Sequence, residues 1–119
     1  MVPNLEVRDS LLDPDSSVDR TARLRNPSSS NPLYRVFLYL EGVRLPYIES
    51  VTYVLHPSFK NSTRQVFRAD SNPRCKLEIW TWGLFQVRAI AVDRDGNTFT
   101  LTHDLQYDKQ FPEVKFIAA

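Results

Sequence analysis

Three short stretches of this chain set chemically capable side chains close together. His56-Pro57-Ser58-Phe59 places an imidazole two residues from a hydroxyl, with an aromatic ring beside it. Trp80-Thr81-Trp82-Gly83 places two indoles two residues apart next to a glycine, and His103-Asp104 joins an imidazole to a carboxylate. Ser58, His103 and Asp104 have the residue types of a nucleophilic set in which histidine takes the hydroxyl proton. That reading is rejected, because no Gly-x-Ser-x-Gly elbow and no oxyanion-hole glycines accompany Ser58. Two histidines and one cysteine, far apart in sequence, show none of the short ligand spacings of a zinc site. The chemistry that remains is binding: flat π faces from Phe59 and the indoles, with a hydroxyl to give direction. Each of these residues also has a plainer reading. His56 and Ser58 can end a strand and satisfy local backbone groups, Phe59 can be core, and the two indoles can cover one sheet. Cys75, between Arg74 and Lys76, is read either as a somewhat activated thiol or as an inert, half-buried one.

The elements that position these residues read as strands. Leu33 to Leu40, LYRVFLYL, is an apolar run of strand length, expected to be buried on both faces. Ile48 to His56, IESVTYVLH, keeps a period of two at Val51, Tyr53 and Leu55 and feeds the turn at Pro57. If that strand continued through Pro57, His56 and Ser58 would share a face. Leu77 to Ile79 alternates, as does Phe85 to Val92, and Thr98 to His103 puts Phe99 and Leu101 inward. Asp93 to Asn97 carries the Asp-Gly signal of a tight hairpin. Leu5 to Arg8 and Thr21 to Arg25 read as short strands. Asp9 to Asp19 and Asn26 to Pro32 read as loops, being dense in turn formers. No window shows the spacing of an amphipathic helix, and eight prolines lie where helices would have to run. The expectation is an all-β fold, a two-sheet sandwich of six to eight short strands.

Composition narrows the classes. With 119 residues, 42% of them hydrophobic and 12% aromatic, the chain is one domain with a real core. Fifteen Lys and Arg against fourteen Asp and Glu leave a net charge of +1, which gives nucleic acid no electrostatic call. One cysteine excludes an internal disulfide framework. No apolar run approaches the ~20 residues that span a bilayer, and the N-terminus lacks a basic and an apolar signal region, so a cytoplasmic protein without membrane partners is expected. For the same reason the sequon Asn61-Ser62-Thr63 is read as chance. The basic residues Lys60, Arg64, Arg68, Arg74 and Lys76 read as a solvated loop; should it rim a channel, it favours an acidic partner.

SVTYVLHPSF at Ser50 to Phe59, TWGLF at Thr81 to Phe85 and GNTFTLTHDL at Gly96 to Leu105, in this order and spacing, resemble a YEATS domain of the divergent prokaryotic form. The resemblance covers roughly Leu33 to Tyr107. It implies an immunoglobulin-like antiparallel β-sandwich of about seven or eight strands over residues 33–117, with residues 1–32 as an arm of loops and one or two short strands. It also implies a non-catalytic reader of acylated lysine that needs no cofactor. Carried over by motif, Phe59 and Trp82 would clamp the acyl-amide and Ser58 would hydrogen-bond it. The backbone amide at Trp82 or Gly83 would hold its carbonyl, and His56 would line the channel. The chain departs from the family at Thr81, commonly glycine there, where a β-branched residue would narrow the channel or fix the loop differently. It departs again at Asn61-Ser62, where relatives carry a proline turn.

The implied partner is an acetyl- or crotonyl-lysine protein, met by a monomer or a weak edge-strand dimer. Acylation removes the ammonium charge, so an apolar slot rejects unmodified lysine by its desolvation cost. The alternative is a protein-interaction domain with its pocket closed by Trp80 or Thr81, part of a prokaryotic signalling or defence system.

Overall fold

The apolar run at Leu33 forms the longest strand of a two-layer sandwich. The computed structural model describes residues 4–18, 21–26 and 31–118; the loop readings at 19 and 27–30 lie outside the described residues. Nine strands are formed among these residues: β1 Glu6–Ser10, β2 Thr21–Arg25, β3 Leu33–Glu41, β4 Ile48–Val54, β5 Thr63–Phe67, β6 Leu77–Thr81, β7 Gln86–Asp93, β8 Thr98–Asp104 and β9 Lys115–Ala118. One layer has the order β1-β3-β2-β9, with β6 on the other side of β3; the second has the order β5-β4-β7-β8. All pairings are antiparallel except β2 with β9. A β1 that reaches Ser10 takes Asp9 and Ser10 out of the expected loop. Both residues pair across to β3.

The core lies between the layers and follows the period of two. Val36, Leu38 and Leu40 of β3 face Val51 and Tyr53 of β4 and Val87, Ala89 and Ala91 of β7, all buried. Phe37 points to the outer face yet is also buried, because the Arg35 guanidinium and the Lys76 ammonium overlie its ring at 4.8 and 5.5 Å. The β7–β8 hairpin closes as its Asp-Gly signal demands, with Gly96 at φ +85° and Asp93 Oδ1 accepting N–H bonds from Asp95 and Asn97, each 2.9 Å.

Two expectations are corrected here. The strand expected to run to His56 ends at Val54, because the Leu55 N–H bonds to Ser62 O at 2.7 Å and the chain turns. The basic stretch read as a loop contains β5, an edge strand whose backbone pairs with β4 from Thr63 to Phe67.

Cys75 is neither activated nor half-exposed. It is fully buried at φ +53°, and burial pushes its thiol, ordinarily near 9, up to about 11. Its carbonyl accepts the Tyr53 hydroxyl at 2.8 Å, and burial holds that phenol well above its ordinary value too.

Two predictions follow from this packing. A Cβ at Gly42, where φ is +135°, would sit 2.4 Å from Asn4 O. Gly42→Ala therefore lowers stability by roughly 2 kcal/mol or more, read by urea denaturation. The Cys75 thiol is protonated in the native state over a range where the unfolded chain ionises. Its stabilising effect is complete below pH 9 and fades as pH rises through about 11. Wild type minus Cys75→Ala, followed by denaturation from pH 8 to 11, should lose roughly 2 to 3 kcal/mol. A flat difference would refute this.

Candidate functional site

The turn that ends β4 builds one side of the site. Within the loop closed by Leu55 and Ser62, the Phe59 N–H donates to His56 O at 3.0 Å, giving a four-residue turn with Pro57 at its second position, where its fixed φ fits. His56 and Ser58 are thus brought together by a turn and not by a shared strand face. The Ser58 N–H donates to His56 Nδ1 at 3.1 Å, and Ser58 Oγ lies 2.8 Å from the same nitrogen. A nitrogen that accepts the backbone N–H has no hydrogen of its own, which assigns the proton to Nε2 and makes the Ser58 hydroxyl a second donor to Nδ1. Its oxygen lone pairs are left to accept a hydrogen bond from a ligand.

The connection from β6 to β7 builds the other side. Thr81, the last residue of β6, is buried, and its Oγ1 lies 3.4 Å from both the N and the O of Gly83. Trp82 is 63% exposed and Leu84 54%. Phe85 turns inward against Phe59, with ring centroids 5.4 Å apart, and meets the edge of the His56 ring at 6.1 Å.

Together these segments enclose a cleft of about 280 Å³, lined by His56, Ser58 and Phe59 on one side and by Thr81 to Phe85 on the other. All six residues singled out from the sequence line this one cleft. Leu84 and Phe85 line it as well. Both stand inside the TWGLF motif, where Phe85 reads as the start of a strand and Leu84 is given no role. An adjoining cleft of about 330 Å³ shares Ser58, Phe59, Thr81 and Trp82 and adds Trp80 and Lys60.

Trp80 is half-buried beneath the Arg25 guanidinium, 4.2 Å above its ring, while Trp82 projects. The two indoles therefore share a neighbourhood without making one cover.

The charge expected around the site is mostly spent elsewhere. Arg64 donates to Asn61 O and Lys60 O, and Arg68 to Pro73 O and Pro46 O, which leaves Lys60 as the cation that lines the adjoining cleft. No carboxylate lines either cleft among the described residues. His103 is also engaged away from Ser58: its Nε2 meets Asp9 Oδ1 at 2.5 Å and ties β8 to β1, while Asp104 accepts from Gln86. No group of three or more His, Cys, Asp or Glu side chains among the described residues is placed to hold a metal ion. Among the described residues no helix is long and apolar enough to cross a membrane. Chemically, the arrangement can stack a planar group, accept one N–H and exclude water along an apolar wall.

Comparison with known proteins adds a family and a fold. The chain resembles the solved structure titled "The Yaf9 YEATS domain Recognizing H3K122suc Peptide" with a TM-score of 0.54 at 18% identity, over 73% of this chain and 66% of that one. Yeast Yaf9, an AF-9 homolog, gives a TM-score of 0.55 at 14% identity, over 87% of this chain and 64% of that one. The chain thus spans slightly less than two thirds of each solved chain, and at this identity the likeness is one of fold: the immunoglobulin-like sandwich. No curated protein matches the chain. The model of the prokaryotic YEATS domain matches residues 34–106, a segment that runs from β3 to just past β8 and holds every residue lining the cleft. This chain belongs to the prokaryotic YEATS domain family.

Proposed function

We propose that the domain is a non-catalytic binding module that takes an acylated lysine side chain, of the acetyl or crotonyl type, into the cleft between Phe59 and Trp82. The observation that carries this reading is the convergence of two aromatic rings and one hydroxyl with unused acceptor capacity on a single open cleft. An acyl-amide is flat, uncharged and polar along one edge. It matches π faces above and below and one acceptor for its N–H.

Ser58 Oγ accepts the amide N–H, held in place by its own donation to His56. A backbone N–H of the Trp82-Gly83 step meets the acyl carbonyl. The Gly83 N–H already has the Thr81 hydroxyl at 3.4 Å, which favours Trp82 as that donor. Thr81 thereby fixes the loop rather than filling the slot. An unmodified lysine would have to leave its ammonium shell at an apolar wall with no carboxylate to receive it.

The likeness to a YEATS domain solved as recognizing a modified peptide supports a peptide as the carrier. In this reading residues 33–117 carry the site, and residues 1–32 are an arm that completes its sheet through β1 and β2. The other reading, an interaction domain with its pocket closed, is less well supported, since neither Trp80 nor Thr81 occupies the cleft.

The test is a titration with acetyl-lysine, crotonyl-lysine and unmodified lysine peptides, followed by indole fluorescence and NMR shifts. The acylated peptides should saturate a Trp82 response and the unmodified one should give none. Trp82→Ala, exposed enough to leave the fold intact, should cost tenfold or more in affinity, about 1.4 kcal/mol. Ser58→Ala should cost about fivefold. Silence toward every acylated peptide from a folded protein would sink the reading.

A further inference from the structure

The Trp82 indole has a position that its own contacts do not secure. It is 63% exposed, so little side-chain packing holds it, and its place over the cleft depends on the backbone of the Trp82–Phe85 connection. That backbone is fastened from outside. The Tyr107 hydroxyl donates to Gly83 O at 3.0 Å, and the Leu105 N–H donates to Phe85 O at 3.1 Å. Tyr107 opens the 3₁₀ segment Tyr107–Glu113 and lies one residue beyond the span matched by the family.

Tyr107 is itself rigidly held. It is only 2% exposed, and its ring packs on those of Tyr34 and Phe111, with centroids 5.9 and 6.0 Å away. On the far side, Gln110 accepts the Leu11 N–H at 2.7 Å and the Asp9 carboxylate accepts the Gln106 N–H at 3.0 and 3.2 Å, anchoring the segment to the end of β1. Burial pushes the Tyr107 hydroxyl up to about 12, so it remains a donor across any pH at which the protein works.

The geometry points to Tyr107 as a positioning residue for recognition, its hydroxyl setting where the Trp82 indole stands over the cleft through the Gly83 carbonyl. As a statement about ligand affinity this rests on the acyl-lysine reading; as a statement about Trp82 it does not. The ring of Tyr107 belongs to the aromatic cluster, and its hydroxyl makes the bond to the clamp loop. The two roles are therefore separable by substitution.

The experiment compares wild type, Tyr107→Phe and Phe111→Leu, first without ligand. The indole N–H resonances of Trp82 and Trp80 and their relaxation are read by NMR, alongside the melting temperature. Tyr107→Phe should shift and loosen Trp82, leave Trp80 unchanged and lower the melting temperature by at most a few degrees. Phe111→Leu disturbs the rings but keeps the hydroxyl, so it should lower the melting temperature and leave Trp82 in place. The same proteins are then titrated with a crotonyl-lysine peptide, for which Tyr107→Phe should bind about fivefold more weakly. An unchanged Trp82 in Tyr107→Phe, or an equal disturbance in Phe111→Leu, overturns the proposal. Should Trp82 loosen in Tyr107→Phe while wild type ignores every acylated peptide, the positioning role stands and the acyl-lysine reading falls.

Discussion

With a single cysteine the two sheets of this sandwich have no internal disulfide between them, so packing and hydrogen bonds in the interior must set their mutual register. Its centre is Tyr53, a fully buried phenol from β4 whose hydroxyl crosses to the carbonyl of Cys75, just ahead of β6. A buried hydroxyl without a partner would cost one to a few kcal/mol. The bond therefore specifies one relative placement of the layers, where apolar contact alone tolerates several. The lone cysteine contributes its backbone there, not its sulfur.

The site inherits its shape from that placement. Its aromatic faces come from two loops, and each loop is shaped by hydrogen bonds of its own: the His56–Phe59 turn on one side, the Thr81, Gly83 and Tyr107 contacts on the other. Polar groups around the cleft are arranged so that most donors and acceptors are already satisfied within the protein. Ser58 Oγ, spending its hydrogen on His56 Nδ1, keeps its acceptor lone pairs. A neutral planar ligand of the proposed kind would then meet the cleft at little desolvation cost, which is the condition under which stacking can decide affinity.

Much of this was legible because burial and alternation coincide. β3, β4, β7 and β8 are central or hairpin strands with inward residues at every second position, and the hairpin turn carries its own Asp-Gly signal. β5 was illegible because TRQVF offers Val66 as its sole inward-packed aliphatic residue, and its backbone is held by the pairing with β4. β9 pairs in parallel with β2 from near the opposite end of the chain, a contact without local trace. At the site, residue types and the motif resemblance sufficed to name six of the eight residues that line the cleft. The route that brings His56 to Ser58 was open in the sequence, since a strand and a turn can both place residues two apart on one side; the turn expected at Pro57 is the one that forms. The Arg25–Trp80 stack and the Tyr107 bond join distant segments through orientation alone, which spacing does not encode.

The jaws of the cleft belong to different layers. Phe59 rides on the loop between β4 and β5 of the four-stranded sheet, while Trp82 follows β6 of the five-stranded sheet. The gap between the two rings is therefore a strain gauge for the separation of the sheets. A methyl group added or removed at Val51 or Ile79, deep between the layers and away from the cleft lining, would register at the rim as a change in aperture. The calibre of such a slot can be tuned from inside the molecule, with every residue at its surface left as it is.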